Sequence, residues 1–252
     1  MLKLSNDRKV SPLSTWKASS KRWEPMVPNA FGLPAGKEFS CPGETSFCNG
    51  CYAARTERVF TSAGRLVNHN FDLLKGQNVG DMTHLLADAV EAFLSKLEKA
   101  EAKTGKTIER VFRIHWDGDL FSLEYALAWA RVMRLNPDVQ FWLYTRSFDF
   151  VGVFAGIANV AVYLSTDAEN AEKARQTKSA YPFVRLAFCA DTWEATEALA
   201  ASFEGERKGP RCPELTGKLA MVGSDGKGAC VTCGLCVFGK NNVRFAKEKG
   251  TK

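Results

Sequence analysis

The chain has 252 residues, 45% of them hydrophobic and 25% charged, with a formal net charge of +6. Such a composition excludes a disordered or fibrous protein and can bury a sizeable core as one large or two small domains. No apolar run reaches the length of a membrane span, and residues 1–17 lack the apolar stretch of a signal peptide, so the expected location is the cytoplasm and no membrane partner is expected.

In a reducing compartment thiols stay free, so eight cysteines point to metal binding or catalysis rather than disulfides. The first 40 residues, rich in Pro, Ser and Lys, read as an irregular arm leading into a cysteine loop. A helix follows from about Tyr52 to Leu74. A second starts near Asp81, with Leu85, Ala89, Phe93 and Leu97 on one stripe, and stops at Gly105. From there strands and helices alternate. "IERVFRIHW", "VQFWLYTRS", "VAVYLSTDA" and "FVRLAFCAD" read as strands. Helices fit between and after them, with Ser122 and Thr192 as N-caps and a short one over Phe148 to Ile157. The βα rhythm implies a parallel sheet, open or closed into a barrel, with helices outside. The expected organisation is an irregular arm over 1–40, a βα barrel with the cysteine loop over 41–204, and a cysteine-rich segment over 205–252.

One face of several strands is polar. Arg113, His115 and Asp117 alternate on one strand; Tyr163, Ser165 and Asp167 on another; Arg185, Cys189 and Asp191 on a third. Unpartnered buried polar groups are costly. These residues therefore either line a cavity or pair among themselves.

Two cysteine sets stand out. Cys41, Cys48 and Cys51 are spaced C-x6-C-x2-C in a short glycine-bearing loop. Cys212, Cys230, Cys233 and Cys236 are spaced C-x17-C-x2-C-x2-C and supply the four sulfurs of a [4Fe–4S] cluster or a structural zinc; the ferredoxin-like run favours iron. The loop set lacks a fourth ligand. Cys189, a small bound molecule on an open iron, or neither completes it.

Three cysteines in a loop ahead of a βα chain resemble the radical S-adenosylmethionine (SAM) enzymes, whose usual spacing is C-x3-C-x2-C. "HWDGDLFSLEYALAWARVM" resembles their strand, Gly-Gly-Glu-like turn and helix. "CPGETSFCNGCYAAR" and "GDLF" resemble, more closely, the phage-encoded family called gene product 88, from about residue 28 onward. The resemblance implies a partial (βα) TIM-type barrel of about six βα units with a cluster-binding C-terminal segment. It implies a [4Fe–4S] cluster on Cys41, Cys48 and Cys51 and a second on the tail cysteines. SAM would sit on the open iron, contacted by Asp117, Gly118 and Asp119, with Arg146 also binding the cofactor. His115, Asp167 and Arg185 would be the catalytic groups lining a site for a small or macromolecular substrate, fed by a reductant protein in the host cytoplasm.

Two other functions fit the same residues. One keeps both clusters without SAM chemistry, as an electron carrier or redox sensor. The other is a zinc-stabilised nucleic-acid-binding protein, suggested by the basic end "KNNVRFAKEKGTK" and the positive charge.

Overall fold

The computed structural model describes residues 1–248. Its core is a sheet of five parallel strands in sequence order: β3 (Val111–Ile114), β4 (Gln140–Thr145), β5 (Val160–Thr166), β6 (Arg185–Ala190) and β7 (Val243–Ala246). The sheet curls into a half-barrel. Sequential order with parallel pairing means every crossover runs over the same face, so the helices collect on one side.

The N-terminal arm is more ordered than its composition suggests. β1 (Ser14–Lys17) and β2 (Arg22–Pro25) form an antiparallel hairpin in which Trp16 faces Trp23, their rings 5.7 Å apart and edge-on. Residues 29–33 then run parallel to β3. Phe31 N–H donates to Arg113 O, Arg113 N–H to Asn29 O, and Leu33 N–H to Asp117 O, each at 2.9 Å. This segment covers the free edge of β3 and leads directly into the cysteine loop. Its apolar residues, Ala30, Phe31 and Leu33, are completely buried. A run this short has no readable periodicity, which is why tertiary hydrogen bonds had to reveal it.

The expected helix over 52–74 is two helices, α1 (Tyr52–Val59) and α2 (Thr61–Leu74), with an extended residue, Phe60, between them. Val59, Phe60 and Thr61 are poor helix formers in succession. The break turns α2 back so that Gly64 approaches the Glu57 carbonyl, 3.1 Å from where a Cβ would sit. α3 (Val79–Thr104) is capped by Asn78, which accepts from Asp81 N–H, and ends at Gly105 with φ +65°. Its buried stripe is Met82, Leu86, Ala89, Val90, Phe93, Leu97 and Ala100. The caps read from sequence hold on α4 (Leu123–Leu135) and α6 (Trp193–Ala201): Ser122 accepts from Tyr125 N–H and Thr192 from Ala195 N–H. Between β4 and β5 the chain makes a 3-10 helix over Phe148–Phe154, and α5 (Ala171–Ala180) joins β5 to β6.

The two faces of the sheet bury different things. On the helix side Phe112, Ile114, Phe141, Leu143, Leu164 and Phe188 pack with α3, α4 and α6 around Trp129. On the inner side Val111, Trp142, Ala161, Tyr163 and Ala187 pack against Val10 and against Val231, Val237 and three of the tail cysteines. The middle of the half-barrel is thus filled by residues 205–248, which include α7 (Ala229–Cys233) and contribute β7 to the sheet. Buried carboxylates and hydroxyls gather at the carboxyl ends of the strands: Asp117, Asp119, Thr145, Ser147, Thr166 and Asp167. No helix of the described residues is long and apolar enough to cross a membrane.

Candidate functional site

The loop carrying Cys41, Cys48 and Cys51 lies across the carboxyl ends of the strands, where parallel α/β sheets bind their ligands. Several contacts seat it there. Ser40 Oγ donates to Pro34 O at 2.7 Å and accepts from Asp119 N–H at 3.2 Å, which ties the loop to the end of β3. Gly43 lies so close to the Arg146 carbonyl after β4 that no Cβ fits. Thr45 Oγ1 donates to Asp167 Oδ2 at 2.6 Å after β5, and Ser46 N–H to Glu169 at 2.8 Å. The Phe47 ring lies between the Arg146 guanidinium at 5.3 Å and Lys247 Nζ at 4.2 Å.

So seated, all three cysteines line one open cleft of about 610 Å³, together with Gly36, Glu44, Glu57 and Arg58. Among the described residues no group of three or more Cys, His, Asp or Glu side chains lies close enough together to hold a single metal ion. Burial, reinforced by the neighbouring Asp119 carboxyl, pushes the Cys41 thiol up to about 12. A metal or cluster binding there must displace the thiol protons. Cys189 shares the inner face of β6 with Ala187, as alternation requires, and burial pushes its thiol up to about 11 against the opposing pull of Arg146. Arg146 lies beside both Cys48 and Cys189, so a cation sits between the loop and the inward thiol of β6.

The structure sorts the residues singled out from sequence. Arg146 and Asp167 meet in a buried ion pair at 3.0 Å, and Asp167 also accepts from the backbone of Glu169. Asp119 is fully engaged: it accepts from Thr145 Oγ1, Arg146 N–H and Leu120 N–H. Burial outweighs those bonds and raises its pKa to about 6. Gly118 has φ +78°, and a Cβ there would lie 2.7 Å from Leu33 O, so glycine is what lets this turn touch the arm. Asp117 is different. It is 2% exposed and both its carboxylate oxygens lack a hydrogen-bond donor. Its pKa is raised strongly by burial and then by the facing Glu57 carboxyl. Glu57, whose Oε1 accepts from Ala35 N–H at 2.9 Å, reaches the cysteine cleft from α1. Nothing in the sequence pattern marks Glu57, because the pairing joins a helix to a strand end 60 residues away.

Two expected site residues lie elsewhere. His115 has φ +64°, which breaks the strand alternation and turns its ring toward α4, where Nε2 lies 2.9 Å from Tyr125 Oη. Burial and then Arg113 lower its pKa to about 3, so the ring stays neutral. Arg185 begins β6, at the opposite end of the sheet from the cleft, and its Nε donates to Gly239 O at 2.8 Å. It holds the tail rather than facing the loop site.

The tail cysteines occupy a different setting. Cys212, Cys230 and Cys236 pack on the aromatic inner face of the sheet, and burial pushes Cys230 and Cys236 up to about 11 and 12. Tyr144 lies in hydrogen-bond contact with Cys236. Two cations reach the thiols, Lys9 from the arm and Arg113 from β3, and both face Cys230. Cys230 N–H also donates to Lys9 O at 3.0 Å. The basic end read from sequence is tied down within the fold: Arg244 pairs with Glu197, and Lys247 with Asp191 at 3.0 Å. Residues 249–252 of that stretch lie outside the described residues.

Phage proteins resemble this chain in sequence. The chain is similar to the Gene 88 protein of Mycobacterium phage L5, 36% identical over 257 residues covering 98% of each chain. It is also similar to the Gene 88 protein of Mycobacterium phage D29, 35% identical over 258 residues with the same coverage. No solved structure matches it. The model of the Gene product 88 family matches residues 1–239, a span that takes in the seated loop, the strand ends beneath it and all eight cysteines, and the chain belongs to that family.

Proposed function

We propose that the protein is an iron–sulfur protein of the radical-SAM type, with one [4Fe–4S] cluster on Cys41, Cys48 and Cys51 and a second on Cys212, Cys230, Cys233 and Cys236. The observation that carries this reading is the convergence of the three loop cysteines on one open cleft at the carboxyl ends of parallel strands. A cubane gives each thiolate its own iron, so its ligands stand farther apart than the ligands of one zinc ion. The donor set fits the group: soft sulfur ligands with adjacent cations, Arg146 at the loop and Lys9 and Arg113 at the tail, to offset the charge of a thiolate-ligated cluster.

When bound on Cys41, Cys48 and Cys51, a cluster with an open iron would supply the one-electron chemistry of SAM cleavage, the electron coming from an external reductant protein. The chain's own residues bind and orient. Arg146, held by Asp119 and Asp167, keeps its charge beside Cys48. The Glu57 carboxyl reaches the cysteine cleft and offers a partner for the ammonium of an amino-acid-like cofactor, with the buried Asp117 carboxyl behind it. The tail, packed on the inner face, keeps water out of the half-barrel beneath the site.

Anaerobic reconstitution tests this. The expected result is bound iron and sulfide, an EPR spectrum altered by SAM, and 5′-deoxyadenosine released under dithionite. Release no greater than that of a Cys48→Ala control overturns the SAM chemistry. A second reading, a cluster closed by protein and used for electron transfer, is favoured by the inward thiol of Cys189 beside Arg146 and Cys48. In that case SAM leaves the EPR spectrum unchanged and Cys189→Ala alters it.

A further inference from the structure

The elbow between α1 and α2 carries a positive surface that the cluster reading does not use. Arg55, Arg58 and Arg65 are exposed. Among the described residues none of the three has an acidic partner. Between them stand three large apolar side chains open to solvent: Tyr52 at 64% exposure, Val59 at 61% and Phe60 at 60%. On α1, Tyr52, Arg55 and Val59 follow at helical intervals and so share one face.

The elbow is also the wall between two clefts. Arg58 lines the cysteine cleft on one side. On the other, Tyr52 and Phe60 line a second cleft of about 490 Å³, closed by residues 4–7 and Trp116. Tyr52 Oη donates to Trp116 O at 2.8 Å, which ties the ring of α1 to the wall of this cleft. The acids nearby do not neutralise the arginines. Glu57 turns inward to Ala35 N–H and Asp117, Glu44 accepts from Lys37 N–H, and Asp7 is taken by Arg113 and Lys9 N–H.

Unpaired guanidinium groups interleaved with exposed rings match the chemistry of a single strand. Arginines grip phosphates, and flat side chains stack on bases that a duplex would hide. We propose that the α1–α2 elbow docks a single-stranded nucleic acid and lays it across the mouth of the cysteine cleft. An unpaired base fits the second cleft, where the Tyr52 and Phe60 rings offer faces for stacking. The strand then runs past Arg58 to the loop site.

The test is fluorescence anisotropy on the full, anaerobically loaded chain with labelled oligothymidylate and oligouridylate of about 15 nucleotides, a length matched to typical single-strand sites. The combined Arg55→Gln, Arg58→Gln and Arg65→Gln variant is expected to bind about tenfold or more weakly, with a salt slope shallower by about 2. The same loss of charge on α3, through Lys96→Gln, Lys99→Gln and Lys103→Gln, is expected to change binding by less than about twofold. Phe60→Ala, which leaves the charges in place, is expected to weaken binding about three- to tenfold with an unchanged salt slope. Three results overturn the proposal: no binding by the native chain, equal loss in both charge variants, or competition by polyglutamate as effective as by nucleic acid. The inference goes beyond the cluster reading and fails separately from it. A native chain that binds oligonucleotide but takes up no iron and sulfide counts against the cluster alone. Full iron without oligonucleotide binding counts against the docking surface alone.

Discussion

The two cysteine sets place the same side chain in different surroundings. The loop set faces an open cleft, on a loop held by hydrogen bonds to the ends of β3 and β5 and packed against the end of β4. The tail set lies on an aromatic floor of Trp142, Tyr144, Tyr163 and Phe245 inside the half-barrel. All seven are half-buried, but the loop cysteines line an open cleft while Cys212, Cys230 and Cys236 face packed rings. The lesson is that a cysteine's role follows from what covers it, and the covering is a tertiary property.

The most drastic way to break that contrast is to remove one sulfur from each set. Cys236→Ala is expected to lower the thermal midpoint by more than about 10 °C or to prevent folding, because binding to an enclosed site is folding free energy. Cys48→Ala is expected to lose about half of the bound iron while its midpoint, followed by circular dichroism, falls by only a few degrees, on the order of 1 kcal/mol. Equal destabilisation by the two would erase the distinction.

Next in size is the seat of the loop. Arg146→Gln leaves Asp167 buried without its cation, which costs about 3 kcal/mol in urea unfolding. It is also expected to shift the EPR signal of the loop cluster and leave that of the tail unchanged.

Asp117 gives a smaller, pH-dependent effect. Its folded pKa is raised, so ionisation is unfavourable in the folded state, and the chain loses stability as pH rises above the ordinary carboxyl range toward the raised value. Asp117→Asn removes that loss. The variant is expected to gain on the order of 1–2 kcal/mol relative to the native chain at pH 8.5 and much less at pH 4.5. A difference independent of pH would show that the Asp117 and Glu57 carboxyls do not oppose each other. His115 acts with the opposite sign. Its lowered folded pKa removes stability as pH falls from about 6.5 toward about 3.

The smallest effect sharpens the tail side. Tyr163 Oη donates to Asn241 O at 2.8 Å and fixes the tail on the sheet. Tyr163→Phe is expected to cost about 1 kcal/mol by urea unfolding, with iron retained.

The sequence went far toward the fold because local rules govern its outer half. The helix stripes, the Ser122, Thr192 and Gly105 caps and the alternating strands all rest on neighbours within a few residues. It misplaced what depends on a single backbone angle or a distant partner. Strand alternation put His115 beside Arg113, but a positive φ turned it to the helix side. Residues 29–33 lacked a period and became an edge partner of β3 through hydrogen bonds to a segment about 80 residues away. Arg185 kept its predicted face but stood at the wrong end of its strand.

By itself, the sequence determined the spacing: seven cysteines in two sets, one of three and one of four, on a parallel βα chain. Spacing and side-chain chemistry are local properties, so they can be read along the chain. Only the tertiary structure decided which set is open. It stretched the loop across the strand ends, folded the tail onto the inner face, brought Glu57 against Asp117 and left three elbow arginines exposed, without an acidic partner among the described residues. Burial and charge pairing depend on residues far apart in the chain, and no local pattern encodes them.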